Sequence, residues 1–90
     1  MLFMVIEHFK NGDAVPVYSR FLEQGRMLPS GLTYIDSWVD SGFAKSFQLM
    51  ETDDPALFKK WIEAWDDLVE FEIVEVVRSS DVATAKVTKV

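Results

Sequence analysis

Apolar positions along this chain change period several times, and each change marks an element. From Leu2 to Phe9 both parities are apolar: Leu2, Met4 and Ile6 on one face, Phe3, Val5 and Phe9 on the other. That pattern predicts a central strand covered on both sides, closed by the turn-forming "KNGD". Ala14, Val17, Tyr18, Phe21 and Leu22 then recur at spacings of three and four, the stripe of an amphipathic helix. Asp13 suits its N-terminal cap, Pro16 its first turn, and Gly25 a left-handed stop.

The run "GLTYIDSWVDSGFAKSFQLME" alternates on either side of Ser41-Gly42 and predicts a hairpin. With a loop of two or four residues, Tyr34 opposes Leu49, Asp36 opposes Phe47 and Trp38 opposes Lys45. Tyr34, Asp36 and Trp38 then share one face, while Ile35, Ser37 and Val39 share the other with Met50, Gln48 and Ser46. A loop of odd length exchanges these partners. "ETDDP" opens a second helix, with Asp54 as cap and Pro55 as the first helical residue. Leu57, Phe58, Trp61, Ile62, Trp65 and Leu68 form its apolar stripe, and "FEIVEVV" is the last strand. The order β-α-β-β-α-β predicts an α+β, ferredoxin-like sandwich over residues 1–78: a four-stranded antiparallel sheet with two helices on one face. Residues 79–90 make a polar tail, frayed or, through "AKVTKV", adding an edge strand.

Ninety residues allow one domain, at a size where a single core is barely sufficient. The sheet face away from the helices also carries apolar residues, so pairing of two copies through that face is the expected cover. A net charge of −6 disfavours nucleic acid as a partner. The opening run has no basic n-region or small-residue cleavage site. No segment approaches a membrane span. The expectation is a cytoplasmic protein with no membrane partner. One histidine and no cysteine predict no metal and no cofactor; the carboxylates of "ETDDP" are better used starting a helix, and a haem on His8 has no other support.

Candidate chemistry is sparse. Glu7 and His8 point to opposite faces of the strand and form no dyad. An unperturbed imidazole has a pKa close to neutrality, which makes His8 a candidate general base, although a strand end meeting solvent is the simpler account of it. Tyr34, Asp36 and Trp38, with Lys45 opposite, supply a donor, a carboxylate, an aromatic wall and a cation–π partner, the makings of a binding pocket. Asp36 is the second catalytic candidate. The bland alternative is a strand packed on a helix with Asp36 paired to Lys45. Trp61 and Trp65, one turn apart, fit a core better than a cofactor box. Gln48 beside Ser46 suits a polar pair at the dimer face. No phosphate loop, nucleophile elbow or zinc spacing occurs.

"MLFMVIEHF", "GLTYIDSW" and "LMETDDPALFKKWIEAWDDLVEFEIVEVV", with their spacing, resemble a small bacterial family of unknown function within the dimeric α/β-barrel group of ferredoxin-like folds. "METDDP" followed by "WIEAW" carries most of the specificity, and Glu75 departs from a pattern that often has proline in the last strand. The wider group includes cofactor-independent monooxygenases, haem-degrading enzymes, stress-response barrels and regulatory ligand-binding domains, with sites between sheet and helices. The resemblance implies fold rather than chemistry, and the reading it leaves is a homodimeric binding or regulatory module that takes a small apolar or aromatic molecule between sheet and helices. Alternatives are a cofactor-independent oxygenase or isomerase using His8 or Asp36, and a purely structural dimerisation module.

Overall fold

The computed structural model describes residues 1–85. Strands β1 (Leu2–Phe9), β2 (Thr33–Val39), β3 (Lys45–Glu51) and β4 (Val69–Val76) alternate with helices α1 (Val15–Gln24) and α2 (Leu57–Glu63), and α3 (Ser79–Ala85) follows. The sheet has the order β2-β3-β1-β4, with every pair antiparallel. An α+β fold of the ferredoxin-like kind results. Helix α3 occupies residues 79–85, at the start of the segment expected as a polar tail, and all of "AKVTKV" after Ala85, the alternative place for a further strand, lies outside the described residues.

Local chemistry explains the element starts. The Asp13 carboxylate accepts from the Val15 amide at 3.0 Å, and Asp54 accepts from Ala56 at 3.1 Å, so each acid holds the turn leading into its helix. The N-caps themselves are Ala14 and Ala56, one and two residues later than expected, and make no side-chain cap bond. Thr52, buried, ties its hydroxyl to the Asp54 amide at 3.0 Å and completes the "ETDDP" turn. Gly25 ends α1 at φ 69°, where a β-carbon would be strained.

The inward face of the sheet is set by β1. Phe3, Val5 and Phe9 are buried there beside Met50 of β3, Val69 of β4, and Phe58, Trp61 and Trp65 from α2 and the turn after it. Edge-to-face contacts join Phe3 to Phe58 at 5.0 Å and Trp61 to Phe71 at 5.2 Å. Arg20 of α1 reaches across to Asp67 with two bonds of 2.7 Å and to the Ala64 carbonyl at 3.0 Å, clamping the two helical segments together.

The hairpin differs from its expected register. Trp38 faces Phe47 rather than Lys45, and Asp36 faces Leu49 rather than Phe47. The cause lies in the turn: the Asp40 carboxylate accepts from both Ala44 and Lys45 at 2.8 Å, and Phe43 takes φ 57°, which moves the centre of the turn toward Phe43. A bulge between Tyr34 and Asp36 then rotates Tyr34 to the opposite side. Tyr34, Asp36 and Trp38 therefore do not share a face.

The two faces of β3 are also exchanged relative to expectation. Ser46, Gln48 and Met50 point inward and are buried, in register with Glu7, Val5 and Phe3. Phe47 and Leu49 lie on the outer face with Leu2, Met4 and Ile6. Packing volume gives the reason. The indoles of Trp61 and Trp65 already fill much of the layer above the sheet, and the small Ser46 beneath leaves them room.

Candidate functional site

The small residues below α2 leave a cavity of about 90 Å³ between sheet and helices. Phe9, Val17, Phe21, Trp61 and Trp65 give it apolar walls, and Glu7, Tyr18, Arg26, Ser37, Ser46 and Gln48 place polar groups in it. Its mouth lies by Tyr18, which is 41% exposed and packs edge-to-face on Phe9.

Glu7 is the unusual group. It sits on the Phe3–Val5–Phe9 side of β1, among residues chosen for burial. Loss of solvent raises its pKa from 4.5 to about 7, against the opposing pull of the Ser46 hydroxyl and the Arg26 charge. Tyr18 is pushed upward too, by desolvation and then by the Glu7 carboxylate. A carboxyl that titrates near neutrality inside an aromatic cavity can donate a hydrogen bond at one pH and accept it at another.

Arg26 is held by the two tryptophans that line the cavity. Its carbonyl accepts from the Trp61 indole at 2.9 Å and from the Trp65 indole at 3.0 Å. Its guanidinium lies 3.5 Å from the centre of the Tyr34 ring and 4.9 Å from that of Phe21. Tyr34 is itself fixed through a 2.7 Å hydrogen bond with Ser37, which the bulge brings to the same side. Gln48 donates to the Met50 sulfur at 3.3 Å.

Of the proposed pocket and catalytic residues His8, Tyr34, Asp36, Trp38 and Lys45, Tyr34 alone borders this interior, through Arg26. Ser46 and Gln48, expected at a dimer face, instead line the cavity with Trp61 and Trp65. Asp36 and Trp38 are exposed on the outer side of β2, and the Asp36 carboxylate accepts from the Ser37 amide at 2.8 Å. Lys45 lies 5.6 Å from the Phe47 ring, not over Trp38, and forms no ion pair with Asp36 among the described residues. His8, half exposed at the rim of the outer face, faces Lys45 on one side and Glu70 on the other, with its Nε2 3.7 Å from Glu72. The sequence pattern assigns no site role to Glu7, Arg26 or Tyr18. The signal for Glu7 was present: a lone carboxylate on the apolar parity of the first strand.

These features define an α+β, ferredoxin-like domain with a small, largely apolar cavity under its helices that carries a few polar groups. The chain belongs to the family described as Domain of unknown function (DUF3303), whose model matches residues 1–89. Comparison with curated proteins and with solved structures finds no match. Among the described residues, no helix is long and apolar enough to cross a membrane.

Proposed function

We propose that this protein binds a small aromatic molecule in the cavity between sheet and helices, as a binding or regulatory module, and works as a homodimer paired through the outer sheet face. The observation that supports the binding role is the combination of aromatic walls with Glu7, Arg26 and Gln48 around one cavity. Tyr34 belongs to this site as the platform under Arg26.

Screening small aromatic compounds by NMR tests the reading with an internal control. Compounds that bind should move the indole N–H signals of Trp61 and Trp65, which line the cavity, and leave that of Trp38, which is 53% exposed on the other face, in place. If no compound moves the first two signals, the protein is a structural module without a ligand. A catalytic version of the reading, an isomerase or oxygenase, draws support from Glu7, because a general acid or base works best with a pKa near the working pH.

The dimer rests on the apolar outer face, where Leu2, Met4, Ile6, Phe47 and Leu49 lie with Trp38 and with Val74, which is 43% exposed. His8, Asp36 and Lys45 belong in this reading to the rim of that interface. Sedimentation analysis of Phe47→Glu should give a folded monomer where the parent chain gives a dimer, since a buried unpaired carboxylate is strongly disfavoured. A parent chain that sediments as a monomer removes the dimer from the reading.

A further inference from the structure

We infer that the ligand of this cavity is a small planar carboxylate, its oxygens on the Arg26 guanidinium and on the Glu7 carboxylic acid, its apolar body against Trp61 and Phe9. The inference rests on the small-molecule reading above and names the chemical class it takes.

Arginine supplies the first argument. Arg20 shows what a satisfied guanidinium looks like in this fold: two bonds of 2.7 Å to Asp67 and one of 3.0 Å to a carbonyl. Arg26 is fixed as firmly, with its backbone held by two indoles and its side chain stacked on Tyr34 and Phe21. Yet its guanidinium has no hydrogen-bond acceptor and no ion-pair partner among the described residues. Stacking occupies the faces of the planar group and leaves its edge, where the N–H donors lie, available. A carboxylate matches that edge with two parallel acceptors.

Charge supplies the second. Glu7 and Arg26 line the same cavity without forming an ion pair. A cationic ligand would meet Arg26, and a neutral one would leave its fork unfilled. An anion next to Glu7 is tolerated only if Glu7 carries a proton, and burial already favours that form. Protonated Glu7 then donates a hydrogen bond to the anion rather than repelling it. Size limits the ligand further. The cavity's volume of about 90 Å³ is less than the ~150 Å³ cavity that houses benzene in another protein. A single ring or smaller fits, with part of it lying in the mouth beside Tyr18.

Proton coupling follows. Facing Glu7 are Tyr18 from α1, Arg26 from the loop after it, Tyr34 from β2, and the uncharged Ser46 and Gln48 from β3, Phe71 from β4 and Trp61 and Trp65. Glu7 is the carboxyl that burial raises to about 7. Its free-protein pKa of about 7 must rise when an anion binds. Affinity should therefore be flat in the acid range below 7 and fall by about tenfold per pH unit above it, with about one proton taken up per ligand.

The test uses benzoate and its uncharged isostere benzamide, titrated calorimetrically into the full chain at pH 6 and pH 8 in buffers of different ionisation enthalpy. Benzoate is expected to bind better than benzamide at pH 6, and to take up a proton at pH 8. Glu7→Gln should hold benzoate at pH 8 as tightly as the parent does at pH 6, without proton uptake. Arg26→Gln should lose about tenfold to a hundredfold in benzoate affinity and little for benzamide. Equal binding of the two compounds, or benzamide binding alone, overturns the carboxylate assignment and leaves the small-molecule reading standing. Failure of both compounds, together with unmoved Trp61 and Trp65 signals across the wider aromatic screen, overturns both. Because Glu7→Gln is read as a gain of affinity at pH 8, a poorly folded Arg26 variant does not shelter the inference.

Discussion

Truncating Trp61 to alanine is expected to lower the free energy of unfolding by about 3–5 kcal/mol, the range for a large aromatic removed from a packed core. Trp61 is 2% exposed, contacts Phe58 and Phe71 edge-to-face, and lies at the centre of the layer between α2 and the sheet. Its loss opens a void beneath α2 and also frees one of the two hydrogen bonds on the Arg26 carbonyl. Urea denaturation at neutral pH measures the cost. Trp61→Phe, which keeps most of the volume but not the indole donor, should lose only about 1 kcal/mol or somewhat more. A Trp61→Ala loss within error would mean that α2 does not pack on the sheet through this side chain.

Glu7→Gln is expected to act in the opposite direction, stabilising the fold at pH 8 by roughly 3 kcal/mol. The sign follows from the folded pKa of about 7 lying above the ordinary 4.5. A carboxyl raised in this way contributes fully below pH 4.5, loses that contribution as pH climbs through 7, and is at its most destabilising above that. Glutamine fills nearly the same space without ever charging. The difference in stability between variant and parent should thus be small at pH 4.5, grow through the window, and level off above pH 7. Comparing the two proteins pH by pH cancels the other carboxylates, such as Asp67, whose pKa is lowered by Arg20 and which act at more acid pH in both. A difference that does not vary with pH would place Glu7 in contact with solvent in the folded protein.

How much of this was legible in the residues depended on the physical scale of each question. Element order was legible because period is a property of several side chains together: Phe58, Trp61 and Trp65 mark α2 wherever its ends fall, and the turn residues of "KNGD" and "ETDDP" bracket their neighbours. Which parity of β1 and β3 faces the helices was not, since Leu2–Met4–Ile6 and Phe3–Val5–Phe9 are equally apolar. The choice goes with Trp61 of α2 and Trp65 of the turn after it, whose indoles share the cavity with the small Ser46. The hairpin partners depended on a single carboxylate, Asp40, and on one residue in the left-handed region, Phe43. A bulge near Tyr34 then separated side chains that strict alternation would have kept together. Candidate site residues were hard to read for the same reason. Asp36, Trp38 and Lys45 were gathered by an idealised ladder. Glu7 stands in plain view, but its meaning lies less in His8, its neighbour along the chain, than in the apolar residues two positions away that share its side.

The Arg26 carbonyl, with an indole on each of its lone pairs, has a consequence for the thermodynamics of recognition. Loops that carry binding groups usually lose conformational freedom when a ligand arrives, and that loss subtracts from affinity. Here the Arg26 backbone is tied to Trp61 of α2 and to Trp65 just beyond it before any ligand is present. Its ordering is thus accomplished during folding, as part of the same step that buries the core. Any molecule that engages Arg26 meets a rigid partner, and its binding enthalpy is spared the offset that a mobile loop would impose.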